Sequence, residues 1–245
     1  MIPVVNARGN EWPVKKPVLP KTNKYLGSGL YTVAEAALYC RVSTSMMGRW
    51  LFGAANGRRV IDPEFGPDDR TVSFLDLVQT LAIREIRQYH KVPLPKFRQA
   101  IELAKEKFGL DHPFARDHCT FLYGDELVIQ PPDTELYVEA SGKHRGQAML
   151  SFVELYLKSL DFNAEGLAHR FRIYRSNHEK PVTVTMDPHV RFGEPLLPSG
   201  YTALTICDAV VAEGSIERAA EAYGIPVSEA ETAYRFADYL SRQAA

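Results

Sequence analysis

The chain has 245 residues, 45% of them hydrophobic and 24% charged, with a formal net charge of −1. That composition belongs to a globular protein with enough apolar side chains for one large core or two smaller ones, and it excludes a disordered or low-complexity chain. Three distant cysteines, Cys40, Cys119 and Cys207, suit free thiols in a reducing, cytoplasmic setting rather than a disulfide framework. No apolar run is long enough to cross a membrane, and the first residues lack a signal-peptide core.

Charge is unevenly spread. Residues 1–110 hold 17 Lys and Arg against 10 Asp and Glu, residues 111–180 hold 8 against 11, and residues 181–245 hold 4 against 9. A basic first part and an acidic last part point to different partners for each.

Residues 1–29 carry Pro3, Pro13, Pro17 and Pro20 and four lysines without clean periodicity. They read as an irregular arm, with a short β segment at Ile2–Val5, from which Lys15 and Lys16 are placed to meet phosphates. Residues 31–52 read as two short helices joined by a tight turn. Thr32 and Glu35 have capping-box spacing, and Val33, Ala36 and Ala37 form a narrow apolar face. Ser43 offers a second N-cap, followed by Met47, Trp50 and Leu51 at i, i+3, i+4. This is the helix-turn-helix layout, whose second helix enters a DNA major groove. Thr44, Ser45, Met46 and Arg49 then face base edges. Gly53 to Asp62 reads as a hairpin leading into a strand, a "wing" that aims Arg58 and Arg59 at the phosphate backbone and that Val72 completes. Ser73 caps a long amphipathic helix bearing Phe74, Leu77, Val78, Leu81, Ile83 and Ile86. Pro93 starts another, with Phe97, Ala100, Ile101, Ala104 and Phe108, ended by Gly109.

Beyond the turn at His112–Ala115, Phe121–Ile129 reads as a hairpin with Gly124-Asp125 at its tip and Leu136–Val138 as an added strand. Gly142–Gln147 is a polar turn and Met149–Leu160 an amphipathic helix, while Leu167–Tyr174 and Val182–Met186 have strand composition. His112, His118 and Cys119 lack a fourth ligand at zinc spacing, so no metal is expected. Neither a phosphate-cradling glycine loop nor a Gly-x-Ser-x-Gly motif occurs, and Asp187 and His189 are explained by an Asp-Pro turn. The expectation is a protein with no cofactor and no catalysis.

Residues 181–245 give a strand, the sequences Asp187-Pro188 and Gly193-Glu194-Pro195, and three helices from Ala203, Ile216 and Val227. Ile216–Ser228 repeats the pattern of Val33–Ser43, but its last helix offers Glu229, Glu231 and Asp238 against one main cation, Arg235. Negative charge there opposes phosphate, so this copy reads as a protein-contact module.

The order of residues 30–110, with Thr32-x-x-Glu35-Ala36-Ala37, Val42-Ser43 and the wing, resembles the DNA-binding domain of MerR-like regulators. Gly48 departs from that pattern, where an Arg usually stands. The C-terminal sequence, with Asp187-Pro188, Gly193-x-Pro195, Gly200-x-Thr202, Gly214-Ser215 and Tyr223-Gly224-Ile225, resembles the small domain of unknown function in VapB-type antitoxins. Gly200-Tyr201-Thr202 departs from the usual Gly-Thr-Arg. These resemblances imply an α+β, mainly α chain. Its parts are an arm (1–29), a MerR-like winged helix-turn-helix (30–110), an α+β connector (111–180) and a helical antitoxin-like domain (181–245). They imply an antitoxin that binds operator DNA, represses its own operon and silences a PIN-like ribonuclease toxin. A homodimer is expected because one helix pair with few cations binds DNA weakly, and charge together with the resemblance puts the toxin contact in the acidic C-terminal region. A scaffold protein with purely structural helix pairs and a stand-alone transcriptional regulator are the alternative readings.

Overall fold

The computed structural model describes residues 25–53, 57–117, 120–123, 126–129, 138–139, 158–177 and 179–242. It is α+β and mainly α: seven helices and two three-stranded antiparallel sheets among the described residues. Residues 1–24 of the expected arm, with Lys15 and Lys16, the hairpin tip at Gly124-Asp125 and the polar turn at 142–147 lie outside them.

Helix α1 (Val33–Tyr39) opens on the expected capping box. Glu35 N donates to Thr32 Oγ1 at 3.2 Å and Thr32 N donates to Glu35 Oε2 at 2.8 Å, which satisfies two donors the first turn would leave without partners. It ends at Cys40, where Arg41 takes a positive φ of 52°. Ser43 restarts the helix as N-cap of α2 (Thr44–Phe52), accepting from Met46 N at 3.1 Å. Met47, Trp50 and Leu51 are buried, as their spacing requires.

The segment after α2 departs from expectation. Instead of forming a strand at residues 58–62, Val60 N and Ile61 N both donate to Trp50 O, at 2.7 and 3.0 Å. The carbonyls in the last turn of a helix need donors from outside it, and these two amides supply them. Val72 is not part of a wing either: it exchanges backbone bonds with Tyr31 at 3.0 and 2.9 Å, because the chain returns to the start of α1 before entering α3.

Helix α3 (Phe74–His90) has a capping box from Ser73 and Asp76 and buries Phe74, Leu77, Val78, Leu81, Ile83 and Ile86. Asp76 is fully buried as well, and its carboxylate also accepts from Glu64 N at 3.2 Å. Helix α4 (Leu94–Phe108) closes on Gly109 in the left-handed region and packs Phe97 against Phe114, with ring centroids 5.6 Å apart.

Strands β1 (Thr120–Tyr123) and β2 (Glu126–Ile129) form the expected hairpin, with Tyr123 opposite Glu126. Strand β3 (Val138–Glu139) adds to it, sharing Val138 with the strand expected over 136–138, whose first two residues lie outside the described ones. The second sheet is β4 (Leu160–Phe162), β5 (Ala168–Arg175) and β6 (Thr183–Met186). Leu160 thus begins a strand rather than ending a helix, and residues 149–157 of that expected helix lie outside the described residues. Alternation along β5 and β6 buries Phe171, Ile173, Val184 and Met186.

Helices α5 (Ala203–Glu213), α6 (Ile216–Tyr223) and α7 (Val227–Ser241) pack as a small bundle around Ile206, Ala219, Ala230, Ala233 and Phe236. Small residues on all three let the helices approach closely. Rings then tie the bundle to the second sheet: Tyr174 lies 5.7 Å from Phe236 and 5.3 Å from Tyr239. No described helix is long and apolar enough to cross a membrane.

The segment around α1 meets the C-terminal part at two places. Tyr31 Oη donates to Gly193 O at 2.8 Å, and Leu30 N donates to Phe192 O at 3.0 Å. Arg41 donates from Nε and Nη2 to Arg242 O, at 3.0 and 2.6 Å, with its guanidinium 4.4 Å from the Tyr239 ring centroid. Burial, more than the neighbouring charges, raises the Tyr31 phenol well above its ordinary pKa, so it remains a donor throughout the physiological range. Gly193 has φ of 89°, and a Cβ there would stand 2.1 Å from Tyr31 Oη.

Two predictions concern this frame. Gly193→Ala combines a left-handed backbone with a steric clash, and is expected to cost about 2–5 kcal/mol in chemical denaturation. Tyr31→Phe is expected to cost about 1 kcal/mol, and the pair to be non-additive in a double-mutant cycle. Asp76 provides a pH test. Burial pushes its pKa up from 3.8 to about 7 despite hydrogen bonds from Glu64 and Ser73. A raised folded-state pKa means stability is fully present below about pH 4 and is lost as pH rises toward 7. Between pH 5 and 7.5 the wild type should therefore lose about 2 kcal/mol more than Asp76→Asn, measured by denaturant unfolding of both.

Candidate nucleic-acid interface

The first turn of α2 stands clear of the protein. Thr44 and Ser45 are exposed, Met46 is half-buried against the core, and Arg49 is exposed one turn further on. The opposite side of the same helix carries Met47, Trp50 and Leu51 into the core. One face thus anchors the helix while the other presents two hydroxyls and a guanidinium. Gly48 lies between them, and a Cβ built on it meets nothing within 4 Å.

Arg58 and Arg59 follow as exposed side chains beside the end of α2. Their backbone is held by a residue that sequence reasoning missed. Arg98, on α4, donates from Nη2 to Arg58 O and from Nε to Arg59 O, each at 2.9 Å. A guanidinium fork suits two successive carbonyls in a way a lysine does not. Phe52, Arg58, Arg59, Arg98 and Ile101 line a recess of about 410 Å³. Arg70 adds another cation at this end of α2, its guanidinium 4.7 Å from the Phe52 ring centroid. Arg59 is partly committed, pairing with Asp62 at 2.6 Å. Arg58 and Arg49 make no ion pair among the described residues. Nothing in sequence singles out Arg98, since a polar residue on the outer side of an amphipathic pattern is the ordinary case, or Arg70, which stands in the loop before α3.

The three acids expected to meet a protein partner divide. Glu229 is buried, 7% exposed, and its Oε2 accepts from Ser199 N at 3.0 Å, so it steadies the loop before α5 rather than facing a partner. Glu231 is half-buried and pairs with Arg235 at 2.7 Å, and Asp238 is exposed and pairs with Arg242 at 2.5 Å. Glu213, Glu217 and Glu221, which the sequence reading did not select, are exposed on α5 and α6. The acidic surface of the bundle is therefore carried as much by α6 as by α7.

Elsewhere, His112 is half-buried and its Nδ1 lies 3.0 Å from Gln79 Nε2. Burial lowers its pKa, which keeps the imidazole neutral. His118 and Cys119 lie outside the described residues. Asp187 closes the Asp-Pro turn by accepting from His189 N at 2.9 Å and from Arg170 at 3.2 Å. Burial would raise its pKa, but these bonds and the Arg170 charge hold it below the usual value.

No family model matches the chain, and no curated protein matches it. Among solved structures, the crystal structure of Rv2018 from Mycobacterium tuberculosis has a similar fold. The TM-score is 0.58 and the identity 19%, covering 86% of this chain and 99% of that one. At that identity the likeness concerns the fold alone.

Gly48→Ala is expected to raise stability by about 0.5–1 kcal/mol in thermal or denaturant unfolding. The Cβ has room, and glycine within a helix costs about that much relative to alanine.

Proposed function

We propose that the chain is a DNA-binding antitoxin. On this reading α1 and α2 are a DNA-binding helix-turn-helix, and the acidic helical bundle holds a ribonuclease toxin of the PIN-like kind. The observation that carries it is the first turn of α2: Ser43, Thr44, Ser45 and Arg49 exposed on one side, a tightly packed anchor on the other, and the Arg58-Arg59 backbone clamped alongside by Arg98. Thr44, Ser45, Met46 and Arg49 read base edges; Arg58, Arg59, Lys15 and Lys16 hold phosphates. The backbone clamp limits the entropy lost when the loop meets DNA. A single helix pair with so few cations binds weakly, so a homodimer on a two-fold operator is the working form, in the cytoplasm.

The toxin-facing surface rests on charge. Glu213, Glu217, Glu221 and Asp238 are exposed in a segment with 4 cations to 9 acids, which complements the basic surface of an RNA-cutting enzyme. One observation favours an interaction protein without DNA binding instead: Arg59 is already paired with Asp62 and Arg41 with the last helix, so fewer cations remain for phosphate than the sequence offers.

Salt dependence separates these readings. Operator affinity should fall steeply with salt, and Arg58→Ala with Arg59→Ala should lower the logarithmic slope by about 1.8, at 0.9 per phosphate contact. Arg49→Ala should cost about 1–3 kcal/mol and relax sequence preference. Binding that is indifferent to salt and to all three substitutions rules out recognition by this face. Charge reversal of Glu217, Glu221 and Asp238 in the full chain should abolish neutralisation of a nuclease encoded beside it while operator binding persists. Neutralisation that survives the reversal sinks the toxin-surface assignment.

A further inference from the structure

A cleft of about 400 Å³ lies where the helix pair, α3, the second sheet and the last helix converge. Four rings from four elements line it: Tyr39 at the end of α1, Tyr89 on α3, Phe171 on β5 and Tyr239 on α7. Sites for small organic molecules have this character, apolar with a few convergent polar groups, at volumes of about 300–1,000 Å³ and at junctions between structural units. Two arginines also line it, but neither brings net charge. Arg84 pairs with Glu85, itself on the wall, and donates to Cys40 O at 2.7 Å; Arg172 pairs with Asp161 and donates to Lys158 O at 2.6 Å. Planar guanidinium groups held in place beside aromatic rings offer stacking surfaces rather than an anion trap.

We infer that this cleft, formed by Tyr39, Tyr89, Phe171 and Tyr239 with Arg84 and Arg172, is a binding site for an uncharged, planar aromatic molecule that regulates the α1–α2 pair. Charge compensation selects against an anionic ligand, because a carboxylate or sulfonate entering it meets Glu85 as well as Arg84. The Tyr39 phenol is pushed up to about 12, by burial and then by Glu35 and Glu194. Tyr39 therefore adds no charge to the cleft.

A connection to the reading helix is built in. Tyr239, whose ring lines the cleft, is the same ring over which Arg41 stacks, and Arg41 sits in the turn between α1 and α2. Tyr39 ends α1 two residues before that turn. A molecule seated between Tyr39 and Tyr239 therefore touches both ends of the link that Arg41 makes. By linkage, whatever factor the ligand applies to DNA affinity, DNA applies to the ligand. This regulatory half rests on the proposed DNA-binding role; the site itself does not.

The test uses N-phenyl-1-naphthylamine, uncharged and fluorescent in apolar sites, and its sulfonated relative 8-anilinonaphthalene-1-sulfonate, on the full chain. The neutral probe should bind saturably at one site per chain and more tightly than the sulfonate. Ser159→Trp, which fills the cleft from its wall, should weaken the neutral probe about ten-fold. Tyr89 is 62% exposed, so Tyr89→Ala should leave the fold intact and weaken the probe about three-fold. If Ser159→Trp fails to fold, Tyr89→Ala decides. Absence of saturable binding, or binding unchanged in the folded variants, overturns the site; equal or tighter binding of the sulfonate overturns the ligand class. The neutral probe should also shift affinity for a mixed-sequence duplex at low salt in the wild type. Arg41→Ala, outside the cleft, should keep probe binding and lose the shift. A shift that survives in Arg41→Ala, or none in a wild type that binds DNA, overturns the coupling. A wild type that never binds DNA removes the DNA-binding reading and leaves the probe results standing.

Discussion

The hydrogen bond from Tyr31 to the Gly193 carbonyl joins residues 162 positions apart and is buried from water. It fixes the entry to the helix pair. Tyr31 also pairs with Val72, so one residue ties the entry to α1, the approach to α3 and the turn before the C-terminal bundle. Its counterpart has little freedom. Arg191, Phe192 and Gly193 have successive φ values of 46°, 56° and 89°, a run of left-handed backbone that only such contacts sustain. Glycine at 193 is required twice, by its dihedral angle and by the Tyr31 ring.

A second link, through Arg41, has a different physical character. Its donors meet the last turn of α7, where carbonyls lack intrahelical partners and the helix dipole favours a cation. The turn between α1 and α2 is thereby stabilised by the other end of the chain. This makes the helix pair responsive to what happens around Tyr239, and it places the aromatic cleft where it can matter.

The chain contains the same helix–turn–helix sequence pattern twice, and tertiary packing uses the copies in opposite ways. In the first, the N-terminal turn of α2 remains accessible and its C-terminal residues are anchored. In the second, α7 packs against α5, α6 and α1, and Glu229 and Thr232 are buried. A local pattern describes which residues share a face; which face meets solvent depends on what else packs there. The acids on α7 illustrate this. All three look alike in sequence, yet Glu229 satisfies a loop amide while Asp238 lies on the surface.

Local chemistry was legible from the residues. Thr32, Ser43 and Ser73 cap helices because a side-chain oxygen can reach an amide three residues on, and that distance is set within one turn. Met47, Trp50 and Leu51 share a face for the same local reason, and the β1–β2 hairpin follows from a two-residue tip. Long-range pairing was not legible. Val72 joins Tyr31 rather than a wing, Val60 and Ile61 cap α2 rather than extend a strand, and Arg98 clamps the Arg58-Arg59 backbone from 39 and 40 positions away. Each depends on which groups are left without partners once helices have formed, and that is known only when the chain has folded back on itself. By itself the sequence determined the helices, their caps and their apolar faces, because those arise from neighbours within a turn or two. Only the tertiary structure decided which cations reach the surface, which acids are buried and where the segment around α1 locks onto the C-terminal part, because those outcomes depend on competition among distant groups for the same donors, acceptors and space.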